Sequence, residues 1–213
     1  MENKIEDWRA WYKRCQEQEY RVDLIDFDKN DDWAVTEMEI DGRVSKVLYR
    51  DGAPFFIQCV RVFRADGTSY DLLLSRRPEH LATGYVALVV DKNSDRFLVQ
   101  AKKEQGYDPK IHHTIIGTAV QMSEYNYRGL HGGAPPKRKE WVDQTQFFPV
   151  AQDGGMLLRK YNQVGFLELD LDSIELYPNE RIFTMAELGE AIKAGYCSDH
   201  LMQAVGMLKV FRG

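Results

Sequence analysis

The stretch TAVQMSEYNYRGLHGG, residues 118–133, packs chemistry-bearing side chains into a short run. Thr118, at the end of the strand-like HTIIGTAV, is followed by Gln121, Tyr125, Asn126, Tyr127 and His131 with little apolar filling. The two tyrosines can stack on a planar base and keep a hydroxyl for hydrogen bonding. His131 precedes two glycines, a setting for a mobile imidazole. Two other segments carry matching groups. RFLVQAKKEQG ends in Lys102, Lys103 and Glu104, and period-two alternation puts Lys102 and Glu104 on one face. LLRKYNQVGFLEL begins with Arg159, Lys160 and Asn162, and an arginine beside a lysine can hold a diphosphate. Gly117 invites close approach by a backbone or a ligand. Each feature alone has an ordinary alternative: a solvated strand edge, a core tyrosine, a charged turn. Their density is the signal.

Several chemistries find no support. There is no glycine-rich dinucleotide loop, no Walker A loop and no nucleophile elbow. The five histidines and three cysteines show no metal-ligand spacing. The net charge is -5 with no basic patch, which argues against nucleic acid and anionic membrane as partners. No apolar run reaches the length of a membrane span, and the N-terminus lacks a signal-peptide core. Cys15, Cys59 and Cys197 read as reduced packing residues of a cytoplasmic protein.

The elements that must position these groups follow from periodicity. Ile5, Trp8, Tyr12 and Cys15 give one apolar face of a helix over residues 3–19, an N-terminal arm within residues 1–32 whose helix is read as packing on its own domain in preference to a partner. From Trp33 short alternating strands begin and form a single module, 33–213. Asp41-Gly42, Asp66-Gly67 and the KNSD segment each join two strands as a hairpin. HHTIIGTAVQM and VGFLELDL are further strands. Gly132–Gly155 is the loosest region, a mobile lid or a long connection. Thr184 and Glu187 form a capping box that opens a helix to about Lys193. Ser198 caps a last helix carrying Leu201, Met202, Val205, Leu208 and Val210. Strands followed by helices indicate an α+β fold.

FLVQAKKEQG, TAVQMSEYNYRGLHGG and LLRKYNQVGFLEL, in this order, resemble the NDP-hexose 2,3-dehydratase family of deoxysugar biosynthesis. The resemblance runs from about Trp33 to the C-terminus. It implies a Nudix-like fold, with a mixed or antiparallel sheet and flanking helices. Family members usually carry two such modules in tandem, so one module per chain implies a homodimer with two-fold symmetry. The substrate implied is a dTDP-linked 4-keto-6-deoxyhexose, handled without a cofactor. Loss of the C3 proton gives an enolate, which expels the C2 hydroxyl. His131 is then the first choice as base or acid, since an imidazole titrates near working pH, and Tyr127 is its rival. Lys102 donates to the enolate oxygen, with Glu104 orienting it. Gln121 and Asn126 bind sugar hydroxyls or the thymine edge, and Thr118 and Tyr125 complete the substrate contacts. Arg159 and Lys160 take the diphosphate, and Asn162 a ribose or phosphate oxygen. The sequence departs from the family pattern around the supposed pocket, and its tail CSDHL replaces V-N-M-D-x-R. Those changes leave open a non-catalytic nucleotide-sugar module, or an epimerisation through the same enolate.

Overall fold

The computed structural model describes residues 7–17, 31–51, 53, 55–77, 83–104, 114–130, 135–151 and 161–212. His131, Arg159 and Lys160 lie outside them. The architecture is mixed α+β, two sheets with flanking helices, as the sequence leads one to expect.

Strands β1 (Trp33–Ile40), β2 (Arg43–Arg50), β3 (Phe56–Phe63) and β4 (Ser69–Arg76) form an antiparallel sheet in sequence order. Its turns use the expected dipeptides. Asp41 and Gly42 both take positive φ, 53° and 73°, which lets a two-residue turn match the strand twist. The Asp41 carboxylate also accepts from buried Arg76 on β4, at 2.8 and 3.1 Å, tying both edges of the sheet together. Ile40, Val47 and Phe56 form a small core here. That core covers one face only. Alternation along β3 therefore leaves Cys59 exposed, which corrects its reading as a packing residue. Cys15 and Cys197 are buried, and burial pushes the Cys197 thiol up to about 12.

The second sheet has seven strands. The hairpin of β5 (Thr83–Asp91) and β6 (Arg96–Lys103) pairs only at its closed end, Val89 with Leu98 and Val90 with Phe97. Beyond that the strands part. The expected strand over HHTIIGTAVQM is two strands, broken at Ala119, that fill the gap. Strand β7 (Thr114–Thr118) pairs with β6, and β8 (Val120–Ser123) pairs with β5. Strand β10 (Tyr161–Leu169) runs parallel to β5 and antiparallel to β9 (Gln146–Ala151). Strand β11 (Glu180–Thr184) covers the outer edge of β6. The segment read as a lid or connection thus contains an edge strand. Pro149 disguised it in the sequence, and an edge is where a sheet tolerates a missing donor.

Helices α1 (Trp8–Gln16), α3 (Met185–Lys193) and α4 (Asp199–Arg212) share one core with this sheet. Trp8, Trp11, Tyr12 and Cys15 of α1 are each 3% exposed or less. The helix is part of the main core rather than an appendage to it. The opposite face is closed by Trp141 and Val142 of a 3-10 segment, Lys139–Gln144, and by Leu171. The capping box at Thr184 and Glu187 is formed, and Gly195 follows α3 at φ 77°. On α4, Leu201, Val205 and Leu208 are buried, but Met202 and Val210 are 44% and 81% exposed.

Candidate functional site

The parting of β5 from β6 creates the site. Beyond the closed end of the hairpin, β7 stays with β6, and the segment 196–198 joins it through backbone bonds from Ile116 to Tyr196 and Ser198 to Ile116. Strand β8 stays with β5. Gly117 sits just before the break. A Cβ built there would lie 3.1 Å from Lys102 Cε, 3.2 Å from Gln121 Oε1 and 3.6 Å from Ser198 Oγ. The glycine therefore lets a lysine from β6, a glutamine from β8 and the start of α4 converge.

Lys102 ion-pairs with Glu104 at 2.7 Å, so the shared face read from alternation holds. Its side chain keeps 19% exposure, which leaves the ammonium reachable while constrained. Gln121 Oε1 is buried and has no hydrogen-bond partner among the described residues. A buried acceptor without a donor costs free energy unless a ligand or water supplies one. Gln121 Nε2 lies 3.3 Å from His200 Nδ1, and Asn162 Nδ2 lies 3.0 Å from His200 Nε2. Asp199 Oδ1 is 3.1 Å from His200 Nδ1. The ring thus stands between two side-chain amides, Gln121 at Nδ1 and Asn162 at Nε2, with the Asp199 carboxylate beside Nδ1. Asn162 reaches the ring because Gly84 on neighbouring β5 has no side chain; a Cβ there would lie 2.7 Å from Asn162 Oδ1.

Three of the residues read as site residues, Lys102, Gln121 and Asn162, meet here, and Glu104 joins them through Lys102. His200 was not among the candidates. Its signal lay in the tail CSDHL, where Ser198 opens α4: Leu201 N–H donates to Ser198 Oγ at 3.2 Å. That cap fixes the first turn of α4 against β7 and aims the imidazole at β8 and β10.

Other candidates lie elsewhere. Tyr127, in the single helical turn α2 (Glu124–Tyr127), packs with Tyr85 and Phe147 in the layer on the opposite face. Its hydroxyl donates to Asp143 at 2.7 Å, and that bond raises its pKa. Tyr85 likewise donates to Glu124, and burial, with that bond, pushes its hydroxyl upward. Glu124 also accepts from Arg128 at 2.6 Å. Thr118 is fully buried, and its hydroxyl donates to the Val120 carbonyl at 2.9 Å, holding the strand break. Asn126 donates its backbone N–H to Ser123 Oγ at 3.1 Å, and the Tyr125 carbonyl accepts from Leu130 N–H at 3.1 Å. Among the described residues no group of three or more metal-ligating side chains is present, and no helix is long and apolar enough to cross a membrane.

A comparison with curated proteins found no match. Among solved structures, the crystal structure of an ADP compounds hydrolase is similar, at 10% identity and a TM-score of 0.46, over 74% of this chain and 85% of that one. The sequence profile of one family, described as NDP-hexose 2,3-dehydratase, matches residues 2–199. That span includes α1 as well as every strand and the start of α4, and so takes in Lys102, Gln121, Asn162 and Asp199. The chain belongs to the NDP-hexose 2,3-dehydratase family.

Proposed function

We propose that this chain eliminates water across C2 and C3 of a nucleotide-linked 4-keto-6-deoxyhexose, with dTDP as the preferred nucleotide and a two-fold homodimer as the working form. What supports this reading is the approach of Lys102, paired with Glu104, and of Gln121 to Gly117, with the His200 imidazole standing between the Gln121 and Asn162 amides.

The C3 proton is acidic because its carbanion is an enolate of the C4 ketone. A base takes that proton, and negative charge gathers on the C4 oxygen. Lys102 stands as its donor, with Glu104 limiting the positions the ammonium can take. The C2 hydroxyl then leaves as water with a proton from an acid, and the enol relaxes to a 3,4-diketo-2,6-dideoxy sugar. Hydrogen from C3 and hydroxyl from C2 make up the water lost, with no external oxidant. The His200 imidazole is the acid–base group in this reading, since one imidazole can take the first proton and deliver it to the leaving oxygen. His131 is the alternative imidazole. Gln121 Oε1 gains the donor it lacks from a sugar hydroxyl.

The test is exchange and turnover together. Wild-type protein with dTDP-4-keto-6-deoxyglucose in deuterium oxide is expected to wash solvent deuterium into C3 and release a 2-deoxy product. His200→Ala is expected to slow both by about 10²–10⁴-fold, the usual worth of a positioned acid–base group. An unaffected His200→Ala beside an inactive His131→Ala moves the role to His131. Absence of C3 exchange and of product in the wild type would falsify the dehydratase reading.

A further inference from the structure

A cavity of about 410 Å³ opens at the far end of β6, between α1 and the segment that leads into β11. Its volume is in the range of small-molecule sites, roughly 300–1,000 Å³. Lys102, Lys103 and Lys137 all line it. The fold sets each lysine there for a reason. Lys103 alternates with Lys102 along β6; its ammonium donates to the Gln16 carbonyl at 3.2 Å and to Thr114 Oγ1 at 2.9 Å. Lys137 precedes Arg138, which has positive φ and is buried. The Arg138 guanidinium is sandwiched between Trp141 and Tyr177, each 4.5 Å away, and forks onto Glu180 at 2.6 and 3.1 Å. With its neighbour anchored, Lys137 is held over the Tyr177 ring at 4.3 Å, donating to Asn179 Oδ1 at 3.0 Å.

The partners of Lys103 and Lys137 are neutral. Among the described residues neither ammonium pairs with a carboxylate, whereas the neighbouring Arg138 does. Burial lowers the proton affinity of Lys103, a cost that a bound anion would offset.

We propose that this cavity is a diphosphate seat, in which Lys103 and Lys137 grip the two phosphoryl groups of a nucleotide-linked substrate and Lys102 marks the side from which the sugar enters. It rests on the reading above only for the identity of the molecule that bears the diphosphate.

Calorimetric titration with inorganic pyrophosphate at low salt tests it without the sugar. Wild-type protein is expected to bind. Lys137→Gln is expected to weaken binding about tenfold or more, the loss of one charge-assisted contact. Lys193→Gln, an exposed lysine at the end of α3, is expected to bind as the wild type does. Lys103→Gln loses the Gln16 contact as well, so its titration is read beside its thermal melt. No pyrophosphate binding by the wild type at millimolar concentration overturns the seat, as does equal binding by Lys137→Gln. Turnover distinguishes the two readings. Product formation with an unchanged KM in Lys137→Gln sinks the seat and leaves the elimination standing. Pyrophosphate binding without any turnover sinks the elimination and leaves the seat.

Discussion

Asn162 reaches His200 across β5 only because residue 84 is glycine. A methyl group at that position would stand 2.7 Å from Asn162 Oδ1, too close for a real contact, and the amide is the end of a side chain that can swing away. Gly84→Ala is therefore expected to lower turnover by an order of magnitude while moving the melting temperature little. A positioning role predicts that kcat falls more than substrate affinity, because the imidazole loses its alignment and the binding groups remain. A large drop in melting temperature with unchanged kcat would show that Gly84 serves packing alone. Gly117 works by the same logic, with Lys102 and Gln121 as the side chains it accommodates.

At the scale of elements, the sheet depends on a second close approach with no such freedom. A Cβ at Gly165 of β10 would fall 2.2 Å from the Gln146 carbonyl of β9 and 3.0 Å from Thr145 Cγ2. The first of these is backbone in a paired strand, so β9 would have to move away. Gly165→Ala is expected to destabilise by about 3 kcal/mol, the upper range for overpacking. For a chain of this size that is roughly a 6–12 °C lower melting temperature. A melt within 2 °C or so of wild type would mean that β9 is held more loosely than its pairing with β10 indicates. The split of one expected strand into β7 and β8 belongs here too. A continuous strand would have paired with β5 or with β6; breaking it at Ala119 satisfies both and opens the gap that Lys102 and Gln121 share.

For the whole molecule, 33 acidic residues against 28 basic ones make pH the natural probe of stability. Asp91, buried at the β5–β6 turn, accepts from the Ser94 hydroxyl at 2.5 Å and from Arg96 Nη2 at 2.6 Å. The Ser94 bond first, with Arg96 adding to it, holds its carboxyl at about 2, below the usual 3.8. Arg96 also forks onto Asp172 at 2.9 Å, tying the hairpin to the turn that follows β10. Folding thus favours the ionised carboxylate. Its contribution is complete above its ordinary value of 3.8 and is lost as pH falls through about 2. Urea unfolding from pH 7 down to 2 is expected to show stability falling over that lower interval. Asp91→Asn is expected to be less stable at pH 7 and to show a shallower acid limb; an identical limb would mean the carboxylate is equally at home in the unfolded chain.

The sequence by itself determined most of the elements, the hairpin turns, the α3 cap and the family, because each is written in neighbouring residues: Asp-Gly dipeptides, Thr184 with Glu187, a period of two, long motifs; the break at Ala119 and the edge strand β9 were not. It also placed Lys102 and Glu104 on one face and singled out Gln121 and Asn162. Only the tertiary structure decided which polar groups meet. Tyr127 and Gln121 are six positions apart, yet the turn of α2 and the pleat of β8 send them to opposite faces of the sheet. His200 is 79 residues from Gln121 and reaches it because the helix it begins packs on β5, β7 and β10. Such pairings are set by how a split sheet closes around one helix end, and no local pattern records that.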